Sequence, residues 1–127
     1  MNSEKFSIRS RLNSFRFAFK GLTSLFMNEH NARIHLAAAI LAISSGIILK
    51  ITALEWSVII IVIGMVFIAE LLNSSLETLS DIVSPEFDEG IRKAKDYAAA
   101  AVLISAVVSV IAGGLIFIPA VLKLVFN

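Results

Sequence analysis

Polar and apolar positions in this chain fall into blocks, and three of the apolar blocks are long enough to matter. The first, "IHLAAAILAISSGIIL" from Ile34 to Leu49, reaches about 24 Å as a helix against roughly 30 Å of bilayer hydrocarbon. "NEHNAR" ahead of it contains no breaker, so the pattern predicts a helix that starts earlier and covers 29–50. The second block starts near Leu54 or Trp56 and meets no stop before Ser84-Pro85. One long helix is predicted over 54–83, with its last turns leaving the bilayer. The third runs over 97–118, with Pro119 close to its end and a polar loop over 84–96 before it.

The first 28 residues read differently. Ile8, Leu12, Phe15, Phe19, Leu22 and Phe26 recur at helical spacing, with Arg9, Asn13, Arg16 and Lys20 on a neighbouring face. This predicts a basic, Phe-rich amphipathic helix on the inner membrane surface. The alternative is that its apolar face packs against the spans as protein core. In the third span Ala101, Ser105, Ser109 and Gly113 recur every four residues, which lets helix backbones approach closely in lipid. The fold class that follows is an all-α integral membrane protein, one membrane domain with a surface helix and three transmembrane helices.

Composition agrees. Apolar residues make up 57% of the chain, more than a soluble domain of 127 residues can cover. A net charge of +1 gives no support to a nucleic-acid partner, and the absence of cysteine excludes disulfides, thiolate metal sites and a thiol nucleophile. "MNSEKFSIRSRLNSFRFAFKG" is broken by charges, so no cleavable signal peptide is expected. Lys5, Arg9, Arg11, Arg16, Lys20, Arg33, Arg92, Lys93 and Lys95 fall in the N-terminal segment and the second loop, against Lys50 and Lys123 on the other side. The positive-inside rule then places the N-terminus and the 84–96 loop in the cytoplasm, with Trp56 at the outer interface.

Candidate chemistry gathers where the second span runs out. In "AELLNSSLETLSD", Glu70, Asn73, Glu77 and Asp81 are spaced 3, 4 and 4 and share a helix face. Glu70 follows Trp56 by fourteen residues, roughly 21 Å, which puts it at the inner edge of the hydrocarbon. Glu29 lies a similar distance outside the first span, so Glu29 and Glu77 can meet at one height from neighbouring helices. Lys93, Lys95 and Asp96 open the third helix in the same layer. Carboxylates at a bilayer edge are costly and usually functional. Two from separate helices suit Mg²⁺ completed by water and phosphate oxygens, and nearby lysines suit a polyphosphate. With a lipid hydroxyl in that layer, the set describes a lipid kinase. The bland alternatives are a solvated helix end for Glu77 and Asp81 and ordinary interfacial lysines. His35 reads as an interfacial or inter-helix polar contact, and Ser74 and Ser75 have no base placed by sequence. No phosphate-binding glycine loop occurs.

"NEHNARIH", "AELLNSSLETLSD" and "KAKDYAAAAVL" resemble the prokaryotic integral-membrane diacylglycerol kinase family, which includes the undecaprenol kinases of Gram-positive bacteria. The resemblance covers nearly the whole chain. It implies a homotrimer in the bacterial cell membrane, active sites shared between neighbours at the cytoplasmic face, and ATP and Mg²⁺ as co-reactants. Glu70 matches the general base and Asn73 the adjacent polar residue; Glu29 and Glu77 match the metal-binding acids. Lys95 and Asp96 match nucleotide-contacting positions, Asp81 a further polar residue of the site, and Arg16 is counted with them on the nucleotide side. Where the diacylglycerol branch has Gln and Glu, this chain has Ile34 and His35, as in the Gram-positive branch.

The expected reaction is in-line transfer of the ATP γ-phosphoryl group to a membrane alcohol, with undecaprenol the first substrate choice and diacylglycerol the second. A reading from another class, a small proton-linked transporter or channel subunit, predicts acids deep within the spans. Here the acids gather at one side.

Overall fold

The computed structural model describes residues 8–126, apart from the side chains at positions 9 and 10. Lys5 and the side chain of Arg9, counted above among the basic residues, lie outside what is described. The described chain is four helices: α1 (Ile8–Asn28), α2 (His30–Leu49), α3 (Ala53–Val83) and α4 (Glu89–Phe126). The last three are long and apolar enough to cross a membrane.

Each boundary has a local cause. α1 gives way to α2 at Glu29, whose extended backbone (φ −98°, ψ 118°) starts the new helix. Arg33 braces the junction by donating from Nε to the Phe26 carbonyl at 2.9 Å and from its terminal nitrogen to the Met27 carbonyl. A cation on the last carbonyls of a helix complements the helix dipole. α2 stops at Lys50, which takes left-handed backbone (φ 51°, ψ 50°). The Lys50 N–H donates to the Ile47 carbonyl and the Ile51 N–H to the Gly46 carbonyl, a Schellman closure. Thr52 then starts α3 with a capping box: its hydroxyl accepts from the Glu55 N–H, and the Glu55 carboxylate accepts from the Thr52 N–H. α3 ends at Val83, two residues before Pro85, as the sequence predicts.

α4 is longer than the span read from hydropathy. It begins at Glu89, inside the stretch read as a loop, because Asp88 Oδ1 accepts from the Ile91 N–H at 2.9 Å and caps the first turn. It also continues through Pro119 to Phe126. The pyrrolidine costs the helix one internal hydrogen bond without ending it.

α3 and α4 form the most extensive pair. Ser109 holds them together, its hydroxyl 3.3 Å from the Val62 carbonyl across the interface and 2.8 Å from the Ser105 carbonyl within α4. Ser105 is buried and Gly113 half-buried, so these members of the small-residue stripe face the helix contact, while Ala101 is exposed. Near the α2–α3 turn a compact core of Ile51, Ile59 and Ile116 packs with Trp56 and Phe117. The outer faces of α2, α3 and α4 stay apolar and exposed, as at Leu41, Ile60, Leu103 and Leu115. A continuous apolar exterior of this kind needs lipid or another chain as its solvent.

α1 docks by its end. Leu25 is buried, and the Phe26 ring meets Phe67 of α3 edge-on with centroids 5.5 Å apart. Ile8, Leu12, Phe15 and Phe19, earlier on the same helix, remain exposed. The core-packing alternative therefore holds only for the last turns of α1.

Candidate active site

The buried stripe of α3 explains where the acids go. Ile59, Val62, Val66 and Glu70 are all buried and recur at spacings of 3, 4 and 4. One turn of helix converts an apolar core position into a carboxylate without changing the face. Asn73 and Glu77 continue that face and are half-buried. Asp81 continues it further but is largely exposed, near the end of the helix.

Glu70 is only 2% exposed. Its Oε1 lies 3.2 Å from His35 Nε2, contributed by α2. The pair is close but not aligned as a hydrogen bond, so Oε1 is left without a hydrogen-bond partner. Asn73 Nδ2 donates to Glu77 Oε1 at 3.2 Å, while Asn73 Oδ1 and the neighbouring Ser74 Oγ are buried and unpartnered. Each such atom costs about 1–3 kcal/mol, so three within two turns mark a place built to receive something. Glu29 and Glu77 both lie close enough for their charges to act on Glu70. Glu29 is half-buried at the start of α2, and its carboxylate makes no capping bond there.

Two openings meet this cluster. An apolar groove of about 320 Å³ runs between α2, α3 and α4, past Ala42, Val62 and Ala106, and has Ile34 and His35 at one end. A cleft of about 490 Å³ lies between α1 and α3, its polar wall formed by Ser24, Asn28, Glu29, Ser74, Ser75 and Thr78. The groove suits a hydrocarbon chain and the cleft a polar group.

The cations and remaining acids form a separate outer set. Lys95 Nζ bonds Asp81 Oδ1 at 3.1 Å, tying α4 to α3, and Arg92 pairs with Asp96 at 3.2 Å within α4. Such exposed pairs are worth no more than about 1 kcal/mol, so they can exchange partners with an incoming anion. Arg16 is exposed on α1, twelve residues before Asn28. That is about 18 Å along the helix, and within one protomer it stands apart from Glu29.

Of the residues singled out in the sequence, Glu29, Glu70, Asn73 and Glu77 come together, and Lys95, Asp96 and Asp81 form the outer set. His35, read from the sequence as an interfacial or inter-helix polar contact, makes such a contact with Glu70, while Ser74 and Arg92, given no part in the site by the sequence, adjoin these groups. For His35 a signal existed. Counted from the α2–α3 turn, it lies fifteen residues before Lys50, and Glu70 lies eighteen after Thr52. In an antiparallel helix pair those positions share a height. Among the described residues no group of three His, Asp or Glu side chains forms a ready-made metal cage. Mg²⁺ needs none, since it takes one or two carboxylates and completes its shell with water and phosphate oxygens. Glu29 and Glu77, with the unpartnered oxygen of Asn73 on the residue that bonds Glu77, supply oxygen donors of the kind that requirement asks for.

The family model for prokaryotic diacylglycerol kinase matches residues 16–117. The chain is 37% identical over 106 residues to the undecaprenol kinase of Bacillus subtilis (strain 168), covering 84% of this chain and 86% of the relative. It is 37% identical over 112 residues to the diacylglycerol kinase of Synechocystis sp., covering 87% of this chain but 64% of that protein's length. The diacylglycerol kinase of Escherichia coli (strain K12) is 35% identical over 95 residues, 75% of this chain and 78% of the relative. These relatives are kinases named for lipid alcohols, and the match runs from α1 through α4: the chain is a membrane enzyme of the prokaryotic diacylglycerol kinase family.

Proposed function

We propose that this protein transfers the γ-phosphoryl group of ATP to the hydroxyl of a membrane lipid alcohol, at the cytoplasmic face of a bacterial cell membrane. The observation that carries the reading is a buried carboxylate, Glu70, in contact with the residue that closes one end of an apolar groove. A lipid chain held in such a groove presents its head at that carboxylate. Glu70 accepts the hydroxyl proton as the oxygen attacks phosphorus. Asn73, held by its bond to Glu77, leaves Oδ1 unpartnered and available as an acceptor beside the base. Lys95 exchanges Asp81 for phosphate oxygens and Arg92 exchanges Asp96 for them, which frees the Asp96 carboxylate to accept from the nucleotide's own hydroxyl or amine donors. Mg²⁺, when held by Glu29 and Glu77, would supply the charge neutralisation that phosphoryl transfer requires.

Undecaprenol is the first substrate and diacylglycerol the alternative. "RIH" at 33–35 supports the former, because an imidazole stands where the diacylglycerol branch carries a carboxylate. Homotrimeric assembly is part of the same reading: neighbouring protomers, together with lipid, would cover the exposed apolar faces of α3 and α4, and would let Arg16 of one protomer serve the site of another. The exposed Phe-rich face of α1 then rests on the inner leaflet.

Two assays test this. Purified protein in mixed micelles, given labelled ATP and each lipid in parallel, should phosphorylate undecaprenol faster than diacylglycerol. No phosphorylation of either ends the proposal. Glu70→Gln keeps the size of the side chain and should lower kcat by about 100-fold or more, with the KM for ATP little changed. A variant retaining half of the wild-type rate removes Glu70 as the base.

A further inference from the structure

We infer that His35 carries away the proton that Glu70 takes from the lipid hydroxyl; this rests on the reading of Glu70 as the base. The chemistry poses a disposal problem. In each turnover the lipid O–H bond breaks, its oxygen bonds to the γ-phosphorus, and the bond from that phosphorus to the bridging oxygen breaks as ADP leaves. The hydroxyl proton ends on Glu70. Before the next turnover it must reach water, and Glu70 is 98% enclosed by protein (2% exposed). A base that cannot shed its proton works once.

The exits are few. Asn73 holds Glu77 with its amide and is no proton acceptor near neutral pH. Glu77 is engaged by Asn73, and Glu29 lines the separate cleft between α1 and α3; in this reading both serve Mg²⁺. α4 lines the shared groove with Ala106, Ser109, Val110, Gly113 and Phe117, none of them titratable. α1 brings Phe26 against Phe67. Among the described residues, His35 is the titratable group within 3.2 Å of the Glu70 carboxylate.

His35 also has the right exposure. Its side chain is 20% open while its partner is 2% open, so the pair has a closed end and an open end. A neutral imidazole accepts at one ring nitrogen and donates from the other, so it can take a proton on one side and release one on the other. The proton passes from Glu70 Oε1 to His35 Nε2, the imidazolium loses a proton from Nδ1 to water, and exchange with water restores the starting tautomer. His35 acts through Glu70 and touches neither phosphate nor ADP in this scheme. It is a positioning and proton-relaying residue, and the 3.2 Å separation lies within the reach a proton transfer needs once the two groups align.

The test uses the full-length protein in mixed micelles with ATP, Mg²⁺ and undecaprenol, or diacylglycerol should the wild type turn that over faster. His35→Gln can still contact Glu70 but cannot carry a proton. Its kcat should fall by about tenfold or more, with the KM for ATP and for lipid near wild type. His35→Ala opens space beside Glu70, and added imidazole at constant pH should restore its kcat in a saturable way while leaving wild type unchanged. Rescue also shows that the variant is folded. Wild-type kcat in His35→Gln, or no response of His35→Ala to imidazole, overturns the relay. Glu70→Gln should stay inactive with or without imidazole. If Glu70→Gln is inactive and His35→Gln is not impaired, the relay fails and the base survives. If Glu70→Gln is active, the base fails and the relay with it.

Discussion

Gly46 offers a perturbation whose size can be worked from the structure. It is buried in α2, where a Cβ would lie 2.9 Å from both Cζ2 and Cη2 of Trp56 and 3.0 Å from Cδ1 of Ile51. Carbon atoms settle at about 3.5–4.0 Å, so the indole must retreat by roughly 0.5–1 Å. It has little room, because it packs on the Ile51, Ile59 and Ile116 core. Overpacking of this kind costs about 1–3 kcal/mol, and removing a helical glycine returns about 1 kcal/mol. Gly46→Ala should therefore lose up to about 2 kcal/mol, and the bulkier, β-branched Gly46→Val more. At roughly 4 °C per kcal/mol for a chain of this size, the apparent melting midpoint of Gly46→Val in detergent should fall by about 8 °C or more. Trp56 is the only tryptophan, so its emission reports the contact directly and should shift in both variants. Glu70 is fourteen residues further along α3, about 21 Å away, so kcat measured well below the midpoint should stay within about twofold, as expected for independent sites. A Gly46→Val protein with wild-type midpoint and wild-type emission would refute the packing argument.

Three other outcomes are expected. Lys50→Gly relieves a left-handed lysine (φ 51°) and should raise the midpoint, by about 1 kcal/mol before the added freedom of the unfolded chain is set against it; a lower midpoint would contradict the Schellman reading. Glu77→Gln keeps an acceptor for Asn73 but removes a charge, and should raise the Mg²⁺ concentration for half-maximal activity by about tenfold; an unmoved Mg²⁺ titration counts against its ligand role. Lys95→Ala gives up the exposed pair with Asp81 and should raise the KM for ATP several-fold while costing under about 1 kcal/mol of stability; a change confined to the lipid KM would place Lys95 elsewhere.

Much of the architecture was written in the chain's pattern. Runs of apolar residues too long for a soluble core can only be satisfied by helices in lipid, because a helix bonds its own backbone. Pro85 stops α3 for a local reason, and so does the Thr52–Glu55 capping box at its start. The ends of α4 were less legible. Hydropathy sees a helix only while it is greasy, so it missed the polar turns from Glu89 and the turns beyond Pro119. Glu70, Asn73 and Glu77 could be grouped in advance because they sit on one helix, where spacing fixes the face.

What one chain position does to another across helices is a different matter. Sequence spacing put Glu70 on one helix face with Asn73 and Glu77. Its burial to 2% and its contact with His35 follow from how α2 lies against α3. Likewise Lys95 and Asp81 were both visible as charges, but their union is a product of the α3–α4 pairing. The chain alone determined the helices, their order and which acids share a helix face, since these depend on local backbone chemistry and on helical spacing. Tertiary structure alone decided that His35 and not another residue faces the buried carboxylate, because that depends on the rotation and approach of one helix on its neighbour, where the small buried Ala32 and Ala39 of α2 lie on either side of His35 and the buried stripe of α3 runs to Glu70.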